Sequence, residues 1–531
     1  MTYMTKISGL AAATAMLVMV GCKDLDVENL NGADAAGLQS APTAQAIITA
    51  AQSLVPEWRS VDNGHANSLT RYGYEMWSFR ASEPRGLTSV TTEPVFGGNW
   101  SFGIVQNINL LLAALGNVTG MTDAEKAGLR AWLKMNLAIQ FEDMAQAHDS
   151  FGVVLTLPDD PLKDVPPINT KVEVWTKIFS LMNEAYTTDL PAAGTSFVFK
   201  MSGGFAGYNT PTTMRLLNRA LMARWLTIYA VPLGRTDGTR AYNVADWTAV
   251  QTALAASFIN PATVGGAPTT GMTAAQMRAG PYHVYEATST NSLNSVDRFS
   301  NSRFHIEAQC VSAAAIPAGR TCVTDSATTS ATAVTYTPAN RDGRAFGPNA
   351  KVDIVGSDAA LNLFNVTSKL RQRAILAPAV GSRIGTLDPL PVIRNEELLL
   401  LRAESYVNMN DCGNAILDIN RVRTSAIANL PALTCPYVGD AALNQPLSLE
   451  DELLYEKRFS LWAETATVWL DMRHYGKANL IPHWIDNFRI FDIFSLPQSE
   501  CDLRGYTTKG CFQGGYGGIQ GGPNTKFQPL N

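Results

Sequence analysis

The sequence has no long basic run, no Cys-x-x-Cys, no His-Glu-x-x-His and no tight cluster of cysteine and histidine. The first absence excludes nucleic acid as a partner: 41 Lys and Arg face 46 Asp and Glu, for a net charge of −5. The others argue against a zinc centre, and His474 and His483 flank a glycine turn with no ligand at metal spacing. The glycine-rich stretches FGGN and GGYGGIQGG lack the Lys-Ser/Thr of a phosphate loop, so no cofactor is implied. Long apolar runs are also missing. The one that stands out, Ile7 to Val20, has the length of a signal-peptide core and is too short and alanine-rich to span a bilayer.

That run ends at Gly21-Cys22, and the acidic, turn-rich KDLDVENLNG follows. A small residue and then a cysteine at the end of such a core form a lipobox. Residues 1–21 are therefore expected to be a lipoprotein signal peptide, and Cys22 the acylated N-terminus of a mature chain 22–531. More than one acyl chain on Cys22 would make a stable membrane attachment. Six cysteines remain, Cys310, Cys322, Cys412, Cys435, Cys501 and Cys511. An even number in an exported chain suggests disulfides. Their order suggests Cys310–Cys322, Cys412–Cys435 and Cys501–Cys511, each closing a loop of roughly ten to twenty-five residues; free buried thiols are the alternative.

The periodicity is helical. In 121–148, Leu129, Trp132, Leu133, Leu137, Phe141 and Met144 fall on one stripe, and Thr122 with Glu125 makes a capping box. Further helices are predicted over 171–187, over 211–230 with Thr210 as cap and Pro211 in the first turn, and near 245–258. Residues 259–345 are rich in Gly, Thr, Ala, Ser and Asn and read as loops and short strands inserted in a helical body of about 40–258 and 346–485. Helices are expected again at 393–409, at 411–427 after a short turn, and over 449–474. Periodicity alone gives a mainly α chain with helix hairpins.

Motifs along the chain add to this. LLYEKRFSLWAETATVWLDMRHYGKA (453–478) places Glu456, Arg458, Glu464, Trp469, Asp471, Arg473 and Gly476 in a fixed order. Before it stands IRNEELLLLRAESYVNM with AILDINRVRTSA, carrying Ala403-Glu404, Asn420, Val422 and Arg423. NWSFGIVQNINLLLAAL, QAHDSFGVVLTL, PTTMRLLNRALMARWLTIYA and NFRIFDIFSLPQSE occupy matching positions elsewhere. Together with the lipobox, this order over about 90–500 resembles the SusD/RagB family of outer-membrane nutrient-binding lipoproteins. The resemblance implies an all-α, tetratricopeptide-like array of helix hairpins with an irregular, loop-rich insert. It also implies capture of a nutrient, most simply an oligosaccharide, for delivery to a SusC-like TonB-dependent transporter barrel at the outer membrane, facing the cell exterior. A peptide ligand is the alternative.

The residues also nominate a place for the ligand. TRYGYEMWSFRASEPRG (70–86) sets Tyr72, Tyr74 and Trp77 beside Arg80 and reads as a loop; PYHVYEATSTNSLNSVDRF (281–299) offers Tyr282, Tyr285 and Arg298. Sugar C–H faces stack on aromatic rings while Arg hydrogen-bonds hydroxyls, so a carbohydrate site needs both residue types. The competing reading is that these rings pack the helical body. His148 with Asp149 resembles an acid–base pair but stands at a helix end. Glu456, Arg458, Glu464, Asp471 and Arg473 read as an ion-pair network between helices. No pair of carboxylates is nominated for glycosidase chemistry, so a binder is expected rather than an enzyme; a surface glycosidase and a protein-interaction scaffold are the rivals. The lipobox makes one direct prediction: Cys22→Ser releases the protein from membranes into the soluble fraction, and unchanged pelleting after a high-salt wash would count against the anchor.

Overall fold

The computed structural model describes residues 42–53, 76–78, 100, 102–149, 152–158, 164–230, 244–261, 263–264, 267–268, 272–285, 298–300, 308–312, 314, 322, 341–346, 352–354, 373–375, 387–462, 464, 467–477, 496 and 498–505. Cys22, Tyr72, Tyr74, Arg80 and Cys511 lie outside them. The helical body begins with α1 (Ala44–Ser53), α2 (Gly103–Ala114), α3 (Asp123–His148) and α4 (Lys171–Glu184). The capping box at Thr122 is formed: the Glu125 N–H donates to Thr122 Oγ1 at 3.2 Å and the Thr122 N–H to Glu125 Oε2 at 2.8 Å. Thr170 and Glu173 repeat it at the start of α4.

The apolar stripe of α3 is buried as expected, but burial runs around the helix and includes Asn136, Gln140, Glu142 and Gln146. The reason is tertiary, since α1, α2 and α4 all cover α3. After α4 comes a π turn, Ala185–Asp189, in which the Leu190 N–H bonds to the Ala185 carbonyl, and one last α turn, Leu190–Ala192. Helix α5 (Pro211–Ala230) starts where Thr210 Oγ1 accepts the Thr213 N–H at 3.2 Å, and α6 (Val244–Ala255) packs along it.

The irregular part opens with the hairpin β2 (Thr263–Val264) and β3 (Ala267–Pro268), and with α7 (Ala274–Arg278). A four-stranded antiparallel sheet of order β1-β5-β7-β6 is built from Met76–Ser78, Arg298–Ser300, Arg373–Ile375 and Val352–Ile354. A two-stranded sheet pairs β4 (Tyr282–His283) with β8 (Leu390–Pro391), and α8 (Gly343–Phe346) precedes β6. Two expectations are corrected here. Residues 76–78 of the supposed loop are a strand, and the insert does not close at 345: among the described residues β6, β7 and β8 stand ahead of the helix that begins at Asn395. Such short strands are stable only against partners far away in sequence, which local patterning does not reveal.

The second half of the body is α9 (Asn395–Asn408), α10 (Cys412–Arg423), α11 (Leu449–Ser460) and α12 (Thr467–His474), with α13 (Gln498–Leu503) near the end. α9 and α10 form the expected hairpin, with Asp411 Oδ1 accepting the Asn414 N–H at 3.1 Å. α9 also meets α5, α6 and α11, joining the two halves. The single helix expected over 449–474 is two, because the Ser460 carbonyl that ends α11 is taken by the Arg394 guanidinium.

Cys310–Cys322 and Cys412–Cys435 are disulfides, as expected, and Cys501 is also disulfide-bonded. The second ties the start of α10 to a loop 23 residues on. Replacing both Cys412 and Cys435 by Ser should lower stability by about 2–4 kcal/mol in chemical denaturation; an unchanged midpoint would show that this loop closure does not constrain the unfolded chain.

Candidate ligand-binding site

The insert is held to the helices by buried charge. Arg344 of α8 reaches Asp342 Oδ2 at 2.7 Å, Glu456 Oε2 of α11 at 2.6 Å and Ser460 Oγ at 2.9 Å. Arg423 of α10 takes the other side of Glu456 at 3.0 Å and Glu452 at 2.6 Å. None of these four ionic side chains has exposed surface: Arg344, Glu456, Arg423 and Glu452 are each 0% accessible. The Tyr455 hydroxyl donates to Asp342 at 2.7 Å, and Gln309, next to the Cys310 disulfide, donates to Glu452 at 2.9 Å. Gly343 is required here: a Cβ would stand 2.2 Å from the Ile427 carbonyl oxygen, and its N–H donates to the Ala428 carbonyl at 2.7 Å. α8 in turn packs on β6, so this cluster sets where the four-stranded sheet attaches.

A second group crosses the body. Arg224 of α5 meets Glu397 of α9 at 2.6 Å; Arg394 pairs with Glu464 at 2.8 Å and with Glu396; Lys457 bridges Glu404 at 2.8 Å and Asp471 at 2.7 Å. The Tyr475 hydroxyl donates to Glu404 at 2.8 Å. The expected network is therefore present, with partners the motif does not contain. Glu456, Glu464 and Asp471 are met by Arg344, Arg423, Arg394 and Lys457. Arg458 lies over the Tyr455 and Phe459 rings, and Arg473 donates to the Gln146 carbonyl at 2.7 Å. Opposite Arg224 on α3, burial pushes the Glu142 carboxyl up to about 8, with Arg224 opposing. Burial likewise lifts Asp471 and Glu452 to about 7, against the pull of Lys457 and Arg423.

The candidate ligand residues separate into two places. β1 and β5 pair so that Trp77 stands opposite Phe299 and Ser78 opposite Arg298. The two stretches nominated independently from the sequence thus meet in one sheet, a juxtaposition no local pattern predicted. Tyr282 and Tyr285 belong elsewhere, on β4 and just after it, against the helical body. The Tyr282 hydroxyl donates to the Arg278 carbonyl at 2.7 Å. Tyr285 is only 7% exposed and meets His283 edge-on at 4.6 Å. Tyr285 is thus corrected from a ligand-facing ring to a packing one. Its spacing from Tyr282 resembles a surface pair, but β4 is covered by β8 and by the turn at Gly203–Phe205.

His148 and Asp149 do not form an acid–base pair. His148 is buried against Trp100, with ring centroids 5.0 Å apart, and Asp149 ends α3 at φ 42° and ion-pairs with Lys171 at 2.9 Å. Among the described residues no group of three His, Cys, Asp or Glu could hold a metal ion, and no helix is long and apolar enough to cross a membrane.

No family model and no curated protein matches the chain. Solved structures do. A SusD superfamily protein from Parabacteroides distasonis aligns at TM-score 0.56 and 15% identity over 86% of this chain and 97% of its own. A SusD-like carbohydrate-binding protein from Bacteroides fragilis aligns at 0.52 and 13% over 82% and 87%. A laminarin-binding SusD-like protein aligns at 0.51 and 14% over 87% and 98%. The chain has the SusD-like fold: a tetratricopeptide-like helical body with an irregular insert.

Glu142 makes the buried charge testable. Its carboxyl is raised from 4.5 to about 8 in the folded chain, so folding retains a proton that the unfolded chain releases near 4.5. That contribution is complete below about pH 4.5 and is lost as pH rises towards 8. Asp471 and Glu452 act in the same sense; His474, held well below its usual range by burial and by Arg473, opposes them below about pH 6.5. The denaturation midpoint should fall between pH 6.5 and 8, and Glu142→Gln should flatten that fall. An equal slope in both proteins would remove Glu142 from the account.

Proposed function

We propose that the protein is a cell-surface lipoprotein, anchored through Cys22 after loss of residues 1–21, that binds an oligosaccharide and passes it to a SusC-like TonB-dependent transporter in the outer membrane. The observation that carries this reading is the pairing of β1 with β5, which joins the Trp77 and Arg298 segments on a SusD-like fold. Solved neighbours described as carbohydrate-binding and laminarin-binding support a sugar ligand. The ligand contacts fall to Trp77 and Arg298, with Tyr72, Tyr74 and Arg80 of the same stretch as further candidates and Tyr282 peripheral. The role is binding, not hydrolysis. Among the described residues, Glu452, Glu456, Glu464 and Asp471 are ion-paired to buried arginines or to Lys457, whereas a glycosidase needs two carboxylates facing a cleft.

A screen of oligosaccharides that includes laminarin fragments identifies the ligand, and tryptophan fluorescence should respond without any product forming. Trp77→Ala should then weaken binding by about 1–3 kcal/mol, by analogy with base stacking, which is roughly ten- to hundredfold in affinity. Calorimetry separates this from packing: a large fall in melting temperature with affinity unchanged would sink the stacking role of Trp77.

A further inference from the structure

The π turn after α4 brings two arginines close over one ring. Tyr186, on that turn, receives two arginines of α5 over its ring: the Arg219 guanidinium carbon is 3.9 Å from the ring centroid and that of Arg215 is 4.4 Å. The two are one helical turn apart, a spacing at which like charges repel. Arg224, Arg344, Arg394 and Arg423 each meet a carboxylate; among the described residues these two meet none. Arg219 donates only to neutral acceptors, Asn218 Oδ1 at 2.9 Å, Asn183 Oδ1 at 2.9 Å and the Met182 carbonyl at 3.2 Å. Burial pushes its guanidinium down to about 10; Tyr186 opposes the shift and Arg215 adds to it. Arg215 has no hydrogen-bond partner among the described residues, and its Nε is sealed from water.

The rest of Arg215 is half-exposed, beside exposed Asn183 and Leu216, which is 37% exposed. A guanidinium held over a ring can turn its two Nη groups outward as a fork, the geometry that takes an oxyanion through two parallel hydrogen bonds. A single-turn π-helix is also a frequent mark of a functional position.

We propose that Arg215, laid against Tyr186 and backed by Arg219, is a receptor for one oxyanion, a carboxylate or phosphate, supplied from outside the chain. The bound anion accepts from the outward Nη groups of Arg215, leaving the sealed Nε aside, and screens the repulsion from Arg219. It comes either as a free small anion or as an acidic side chain on a partner protein. The site is independent of the sugar-binding reading, being built wholly from α4, the π turn and α5.

The test compares melting temperatures of the mature protein and Arg215→Gln in phosphate, acetate and hexaglutamate peptide, each against sodium chloride at matched ionic strength. General salt effects cancel in the difference between the two proteins. At tenfold saturation the intact protein should gain about 1 °C more than the variant. Equal gains from acetate and from the peptide at the same carboxylate concentration identify a free anion; a larger gain from the peptide identifies a partner's acidic side chain. Equal gains in both proteins with all three anions overturn the proposal. Should Arg215→Gln fail to fold, phenylglyoxal labelling of the unaltered protein decides. Arg215 should be protected by phosphate or by the peptide and not by chloride, and no selective protection overturns the site.

Discussion

Glu456 between Arg344 and Arg423, with none of the three side chains exposed, is the contact on which the rest of this structure depends. Two cations and a carboxylate at such depth are tolerable only when every partner is in place, since removing one leaves an uncompensated charge. That requirement joins the insert, through Arg344, to the α9–α10 hairpin, through Arg423, on the single helix α11. The adjacent disulfide Cys310–Cys322 and the Gln309–Glu452 hydrogen bond brace the same junction. α8 also lies beside β6, an edge strand of the four-stranded sheet in which the Trp77 and Arg298 strands pair.

Charge inside the body is arranged by the same rule. α5, α9, α11 and α12 are linked through Arg224–Glu397 and through Lys457 between Glu404 and Asp471. Pairs of this kind contribute geometry more than net stability. They select one register of helix against helix where apolar contacts alone would accept several. The raised carboxyls of Glu142, Glu452 and Asp471 express the remaining imbalance, in which protons complete the neutralisation that the arginines and Lys457 begin. The pair at Tyr186 is the reverse case, two cations without an anion among the described residues, and it lies where Arg215 is half-exposed.

How much of this was legible in the sequence depends on the range of the interaction concerned. The capping box at Thr122, the starts of α3 and α5, the α9–α10 hairpin and two disulfides rest on residues close together in the chain, and local chemistry is enough to specify them. The extent of burial on α3 was not legible, because Asn136, Gln140 and Glu142 look solvent-facing until three other helices cover them. Nor was the division of 449–474 into two helices, which depends on Arg394 arriving from before α9. The candidate site was half legible: aromatic and arginine content nominated both stretches, but only the β1–β5 register, spanning more than two hundred residues of chain, brought Trp77 opposite Phe299, and only the packing around β4 buried Tyr285. By itself, then, the sequence determined the helices, their caps and the residue types available to a ligand. The tertiary structure alone decided which arginine neutralises which carboxylate and which strand pairs with which, because a desolvated charge or a paired strand takes its partner from whatever the fold brings beside it.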